Sequence, residues 1–374
     1  MNLTYFMPTK LIHGRGAMEL ARDDIAALGG RALIVTGRSS ARRSGALADA
    51  TAVLDQLGIR YEIFDQIGAN PLLSACESAG RLARETGADF LFAIGGGSVL
   101  DASKAAAIYA ANKEVAGEAI YDLAFSRPAL PIAAVGITAG TGSEVTPYAV
   151  LTVDRTHQKR SITHRDCYPA VAIADASYTM SMDYDGTVST ALDALSHAIE
   201  GWFSPRANAI SDPMAREAIP LLWQGLCELS GMEKDAAIPY ALREKLHAGS
   251  LLAGLVLNHC STGFPHPLGY PLTEHFDIPH GKACAAFLPA LALRGNRVSP
   301  TRGRELFTLL GCTPEEFSQQ TEQLAALPAI PVSDELIAAC AARWESCKNF
   351  RNSPGGFTQE EAVELFRRRL SPTL

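Results

Sequence analysis

In TALDALSHAIE, residues 190–200, Asp193 and His197 stand four positions apart. On a helix that spacing turns both side chains to one face, where a carboxylate and an imidazole can chelate one divalent cation. Taken alone, the pair reads as a surface ion pair or a capped core histidine. HPLGYPLTEHFDIPHG, residues 266–281, adds His266, His275 and His280 on a stretch with three prolines, too many breakers for one uninterrupted helix. With His266 and His280 the pair becomes an N3O donor set without thiolate. Such a set suits Fe2+ or Zn2+ and leaves a position open to substrate. It requires the helix and the bent segment to meet in space. His275 is a spare imidazole, able to exchange protons near the working pH. Its alternative is a plain surface position.

A second chemistry sits upstream. AIGGGSVLDASK, residues 93–104, reads as a strand running into a helix through three glycines. Gly96 and Gly97 would let backbone approach a ligand, and Ser98 with Asp101 has the spacing of a helix cap and its box partner. The free N–H groups of that helix end would seat a diphosphate. TAGTGSE, residues 138–144, follows the next strand and offers Thr138, Thr141 and Ser143 as donors beside the first loop. Either loop alone could be a plain turn. Two at the carboxyl ends of adjacent parallel strands favour a nucleotide. The spacing is not GxGxxG, so the usual fingerprint is absent.

These loops need an α/β scaffold. RALIVTG (31–37), YEIFD (61–65), FLFAIGGG (90–97) and IAAVGI (132–137) read as strands separated by single helical segments, which means parallel pairing in an open sheet. After Tyr178 the strand signal stops, and long stretches carry helical spacing of apolar residues. Thr358 and Glu361 have capping-box spacing, and Arg367–Arg369 suit the negative end of a last helix. The expected plan is an α/β dinucleotide-binding domain over residues 1–176, then an all-α metal and substrate domain over 177–374.

A net charge of -7 over 374 residues argues against nucleic acid, whose phosphates are held by clustered Lys and Arg. No apolar run reaches membrane-spanning length, and the N-terminus shows no basic region leading into an apolar one. Eight scattered cysteines without a CxxC pair read as reduced thiols, hence a cytoplasmic protein.

Taken in order, PTKLIHGRGA, Asn70-Pro71, GGGSVLDASK, ITAGTGSEVT, VAIAD, DALSHAIEG and GYPLTEHFDIPHG resemble the iron-containing (group III) alcohol dehydrogenases over nearly the whole chain. The resemblance implies a dehydroquinate synthase-like architecture and a homodimer in which N-terminal strands pair. It also implies reversible hydride transfer between NAD(P)(H) and a small primary alcohol or aldehyde. Carried over, the metal ligands are Asp193, His197, His266 and His280. The cofactor diphosphate falls on Gly96, Gly97 and Ser98, with Thr138, Thr141, Ser143 and Lys159 towards the ribose and nicotinamide, and Asn70 also at the cofactor.

Three positions depart from the family pattern. Gly136-Ile137 replaces the family's Pro-Thr before TAGT, so one hydroxyl is missing. Tyr270 stands where many members have a second histidine, so it joins His275 as a candidate for proton traffic or substrate contact. Gly37, followed by Arg38, replaces an acidic residue at the end of the first strand read above. Without that carboxylate a 2′-phosphate is not repelled, and Arg38 could pair with it, so NADP(H) is expected to serve at least as well as NAD(H). Alternative readings are a diol- or hydroxy-acid-specific relative such as glycerol dehydrogenase, and a metal- and nucleotide-binding protein without turnover.

Overall fold

The structure is a computed structural model and describes residues 4–370. It packs as two compact units, one spanning Phe6–Met182 and one beginning at Asp183 and taking in Tyr5.

The first unit is built on β1 (Lys10–His13), β2 (Arg31–Gly37), β3 (Arg60–Ile67), β4 (Phe90–Gly95), β5 (Ile132–Gly136), β6 (Tyr148–Thr152), β7 (Lys159–Thr163) and β8 (Val171–Ala174). Six strands form one parallel sheet in the order β1-β8-β5-β4-β2-β3. β4, β5 and β8 are buried along their whole length, which explains their unbroken apolar runs. Alternate residues feed two separate cores. Leu33, Val35, Leu91 and Ala93 pack with the helices Leu73–Thr86 and Gly97–Ala111. Ile34, Phe92 and Ile94 pack on the other face with the helix Ala46–Gln56.

From β2 the chain turns to β3 on one side and then returns to β4 on the other. Open α/β sheets bind ligands at such a reversal, outside the strands' carboxyl ends. Here those ends are Gly37 and Gly95. The sequence reading found the contiguous strands β5, β4, β2 and β3 but passed over β1 and β8. It also missed β6 and β7, which pair antiparallel as a separate hairpin with Thr152 opposite Lys159.

Among the described residues the second unit contains helices and no strand. Its first helix, Tyr184–Phe203, is capped by Asp183, whose side chain accepts the Gly186 N–H. The stretch read as a bent segment is two helices, Pro265–Phe276 and His280–Ala285, broken at Asp277 in a left-handed conformation (φ 54°). Proline survives inside the first for a local reason. Pro271 has no N–H to offer the carbonyl of Pro267, and the Trp344 indole N–H donates to that carbonyl instead, at 3.2 Å. The capping box of the last helix, Gln359–Leu370, is formed, with Thr358 and Glu361 each bonding the other's backbone N–H.

Candidate metal centre and dinucleotide site

Asp193 and His197 occupy successive turns of the Tyr184–Phe203 helix and are both buried. Two glycines let the histidine-bearing helices reach them. A Cβ on Gly281 would lie 1.8 Å from the Ser189 carbonyl, so the helix His280–Ala285 presses its backbone onto the Tyr184–Phe203 helix. A Cβ on Gly269 would lie 3.0 Å from the backbone of Ala283 and Cys284, which sets the other helix equally close.

The result is one carboxylate oxygen ringed by imidazole nitrogens. Asp193 Oδ1 lies 3.5 Å from His266 Nε2, 3.7 Å from His197 Nε2 and 3.8 Å from His280 Nε2. That oxygen is buried and accepts no hydrogen bond. His197 and His266 stack with ring centroids 4.7 Å apart, their Nε2 atoms separated by 2.9 Å. Two imidazole nitrogens that close need a proton or a cation between them. Burial works against the ionised Asp193 carboxyl, but His197, His280 and His266 outweigh it and hold the group far below the usual carboxylate range. Burial likewise opposes a charged His266, and Glu200 and Asp193 outweigh it, pushing the imidazole up to about 10. A cation could serve these same carboxylates in place of that proton.

Two nearby residues went unnoticed in the sequence. Glu200, fully buried, meets His266 Nδ1 at 2.7 Å through Oε1 and accepts the Gly263 N–H at 2.6 Å through Oε2. This fixes Nδ1 of His266 as the N–H donor and aims Nε2 at the centre. Its signal was the stripe Asp193–His197–Glu200 along one helix face. Cys284 lies four residues after His280 and is the second. Tyr270, four residues after His266, stacks on the His280 ring at 5.7 Å and 19°. His275 takes the surface position that was its alternative reading. Nine residues after His266, it is about half a turn round the helix, and it is exposed.

The other unit gathers the candidate nucleotide residues. Gly95 and Gly136 are register partners on β4 and β5, so the two glycine loops leave the sheet side by side. Between residues 132 and 147 only Thr138 and Thr141 escape full burial, and Gly96, Gly97 and Ser98 are partly accessible beside them. The glycines serve the loops first. A Cβ on Gly96 would stand 2.9 Å from Thr138 Cγ2, and one on Gly97 would stand 2.5 Å from Thr141 Cγ2.

Two further expectations are corrected here. Ser98 is inside the helix and caps nothing, because Gly96 is the cap residue. Its supposed partner Asp101 instead accepts from Ser143 Oγ at 2.6 Å and from the Val150 N–H at 2.8 Å. Ser143 therefore spends its only O–H internally and has none for a cofactor. It also accepts from the buried Lys104 Nζ at 2.7 Å, and that ammonium donates to the Tyr148 carbonyl at 2.6 Å. Burial lowers Lys104 and raises Asp101, and each charge partly restores the other. This buried pair ties the second glycine loop and the hairpin to the helix Gly97–Ala111. Asn70 has a left-handed backbone (φ 52°), and the carbonyl of Pro71 accepts the Thr152 N–H beside Lys159. Gly37 and the exposed Arg38 lie at the end of β2.

Residues 8–176 match the iron-containing alcohol dehydrogenase family, and residues 187–370 match the C-terminal region of the Fe-containing alcohol dehydrogenase family. The chain belongs to the iron-containing alcohol dehydrogenases. It is 30% identical over 375 residues to the long-chain primary alcohol dehydrogenase of Thermoanaerobacter ethanolicus, covering 98% of this chain and 88% of that one. An iron-containing alcohol dehydrogenase of Thermotoga maritima superposes with a TM-score of 0.90 at 34% identity, covering 99% of both chains. The NAD+ complex of sulfoacetaldehyde reductase from Bifidobacterium kashiwanohense gives 0.86 at 28% identity, covering 100% of both. This iron-type dehydrogenase is a metal-dependent, NAD(P)-linked oxidoreductase acting on alcohols, aldehydes or diols. Its donors fit the family's ion, since the buried Asp193 Oδ1 accepts no hydrogen bond and has three imidazole nitrogens within 3.8 Å of it. No helix among the described residues is long and apolar enough to cross a membrane.

Proposed function

We propose that Asp193, His197, His266 and His280 hold one divalent ion, Fe2+ or Zn2+, and that the enzyme interconverts a small primary alcohol and its aldehyde. The observation that carries this reading is the buried, hydrogen-bond-free Asp193 Oδ1 facing three imidazole nitrogens within 3.8 Å. A bound divalent ion supplies Lewis acidity to a substrate oxygen. Glu200 keeps His266 in one tautomer, and Tyr270 packs His280 in place. Gly96, Gly97 and Ser98 seat the cofactor diphosphate at the helix N-terminus. Thr138, Thr141 and Lys159 flank the ribose and nicotinamide side, Asn70 also meets the cofactor, and Gly37 with Arg38 admits a 2′-phosphate.

Relatives named lactaldehyde reductase and 1,3-propanediol dehydrogenase support a short aldehyde or diol substrate. We place the enzyme in the cytoplasm as a homodimer with no nucleic-acid partner. The test is metal analysis of anaerobically purified protein, followed by NADH and NADPH oxidation with a panel of aldehydes. His280→Ala is expected to lose metal and activity while keeping the fold. A fully active, metal-free wild type overturns the proposal.

A further inference from the structure

Cys284 follows His280 by four residues on the helix His280–Ala285, so both side chains leave the helix on one side. Its Sγ lies 3.7 Å from His280 Nδ1 and 3.8 Å from Nε2. One donor atom each from Asp193, His266, His280 and Cys284 fall within 4.8 Å of one another. Tetrahedral metal–ligand bonds of about 2.0–2.3 Å place donors about 3.3–3.8 Å apart. The separations of Asp193 Oδ1 from His266 Nε2 (3.5 Å) and His280 Nε2 (3.8 Å) and of Cys284 Sγ from His280 Nε2 (3.8 Å) match that. The independent sign of a cation is Asp193, 3% exposed, with its Oδ1 accepting no hydrogen bond.

The backbone holds the thiol in place. Gly269 packs against the Cys284 peptide, and Gly281 seats the same helix on Ser189. Position 284 therefore cannot retreat from the centre without breaking both contacts. A buried cysteine can act as a small apolar filler. Here the sulfur faces three ligating groups instead.

We propose that Cys284 is a ligand of the metal centre. It gives the site a second donor set, Asp193–His266–His280–Cys284, that favours zinc and other thiophilic divalent ions over ferrous iron. The inference rests on the metal-centre reading above. His197 belongs to the all-nitrogen-and-oxygen set, and Cys284 to the sulfur-containing one. Thiolate is the softer donor, so the ion held depends on which set closes around it. On ligation the S–H bond breaks, its electron pair passes to the ion and the proton goes to solvent, with no change of oxidation state.

The test uses the full chain stripped with a chelator and reloaded with Co2+ alone, read by absorption and by bound-metal analysis. Cobalt–thiolate bonds give a near-ultraviolet charge-transfer band that nitrogen and oxygen ligands do not. Wild type is expected to bind one cobalt per chain and to show the band. Cys284→Ser and Cys284→Ala are each expected to lose it, with or without loss of cobalt from the folded protein. Cobalt bound by wild type without the band overturns the proposal, even if neither variant folds. A band that persists in either folded variant overturns it as well. His280→Ala separates the two readings. If that variant keeps its full cobalt, the metal-centre reading itself is wrong, whereas cobalt lost there but bandless in wild type removes only the role of Cys284.

Discussion

Glu200 Oε1 sits 2.7 Å from His266 Nδ1 while its Oε2 accepts the Gly263 N–H at 2.6 Å. One buried carboxylate thus orients a metal-facing imidazole and the loop leading into its helix. Partners behind a ligand raise its basicity and fix its rotamer, and losing one costs about 10–100-fold in metal affinity. Glu200→Gln keeps the size and removes the charge. Metal titration of the chelated variant is expected to show a loss in that range with circular dichroism unchanged. Unaltered affinity would contradict the role.

The pH dependence of the metal-free protein follows from His266. Its imidazole, ordinarily near 6.5, is pushed up to about 10 in the fold, because Glu200 and Asp193 outweigh the burial that opposes its charge. A raised value means stabilisation present in full below about pH 6.5 and lost as the pH climbs through about 10. A bound ion displaces that proton. The Tm of chelated protein should therefore fall between about pH 7 and 10, and the gap to metal-loaded protein should widen. A constant gap over that range is the contrary result.

Gly281 makes the sharpest packing prediction. Its missing Cβ admits the Ser189 carbonyl, which would otherwise be 1.8 Å away. Gly281→Ala must push the helix His280–Ala285 off the Tyr184–Phe203 helix and carry His280 away from Asp193. Overpacking of this kind costs about 1–3 kcal/mol. Denaturant unfolding should show that loss, together with weakened metal binding. A variant of unchanged stability and affinity would mean that the contact is softer than the structure indicates.

Asp193 and His197 were legible because a four-residue spacing on a strongly helical stretch fixes the face they share. Glu200 extends that stripe, but a glutamate three residues on is common on any helix and carries no signal until His266 is seen beside it. His275 misled for the opposite reason. Nearness in sequence put it with His266 and His280, whereas the helical period turned it outwards. The glycine loops were located correctly, yet the purpose of Gly96 and Gly97 was hidden. What they make room for, Thr138 and Thr141, lies on another loop, and local spacing does not record that contact. β1 and β8 escaped because four residues show too little periodicity.

The proposed 2′-phosphate contact at the end of β2 can be tested directly. Position 37 is tight, since a Cβ there would lie 3.2 Å from the Ile67 carbonyl and 3.4 Å from Ser40 Oγ. An aspartate at 37 would mix strain with charge, so Arg38, exposed beside it, is the cleaner probe. Wild type is expected to use NADPH at least as well as NADH. Arg38→Ala should lower kcat/KM for NADPH by about tenfold, the worth of one charge-assisted hydrogen bond, and leave NADH nearly unchanged. Equal effects on both cofactors would remove Arg38 from 2′-phosphate recognition.

Tyr270 and His275 share one helix but face different surroundings. The Tyr270 ring lies nearly parallel to that of His280, and burial pushes its phenol well above the ordinary value. It therefore stays protonated at working pH and can donate a hydrogen bond, but cannot act as a base there. His275 is exposed and turned away from the donors. Tyr270→Phe keeps the stacked ring and removes only the hydroxyl. It is expected to lower kcat by about tenfold at unchanged metal content, the worth of one hydrogen bond. His275→Ala should leave both kcat and its pH profile at wild-type values. A normal kcat in Tyr270→Phe would reduce the phenol to packing against His280. An altered pH profile in His275→Ala would return that imidazole to the proton path despite its position on the outer face.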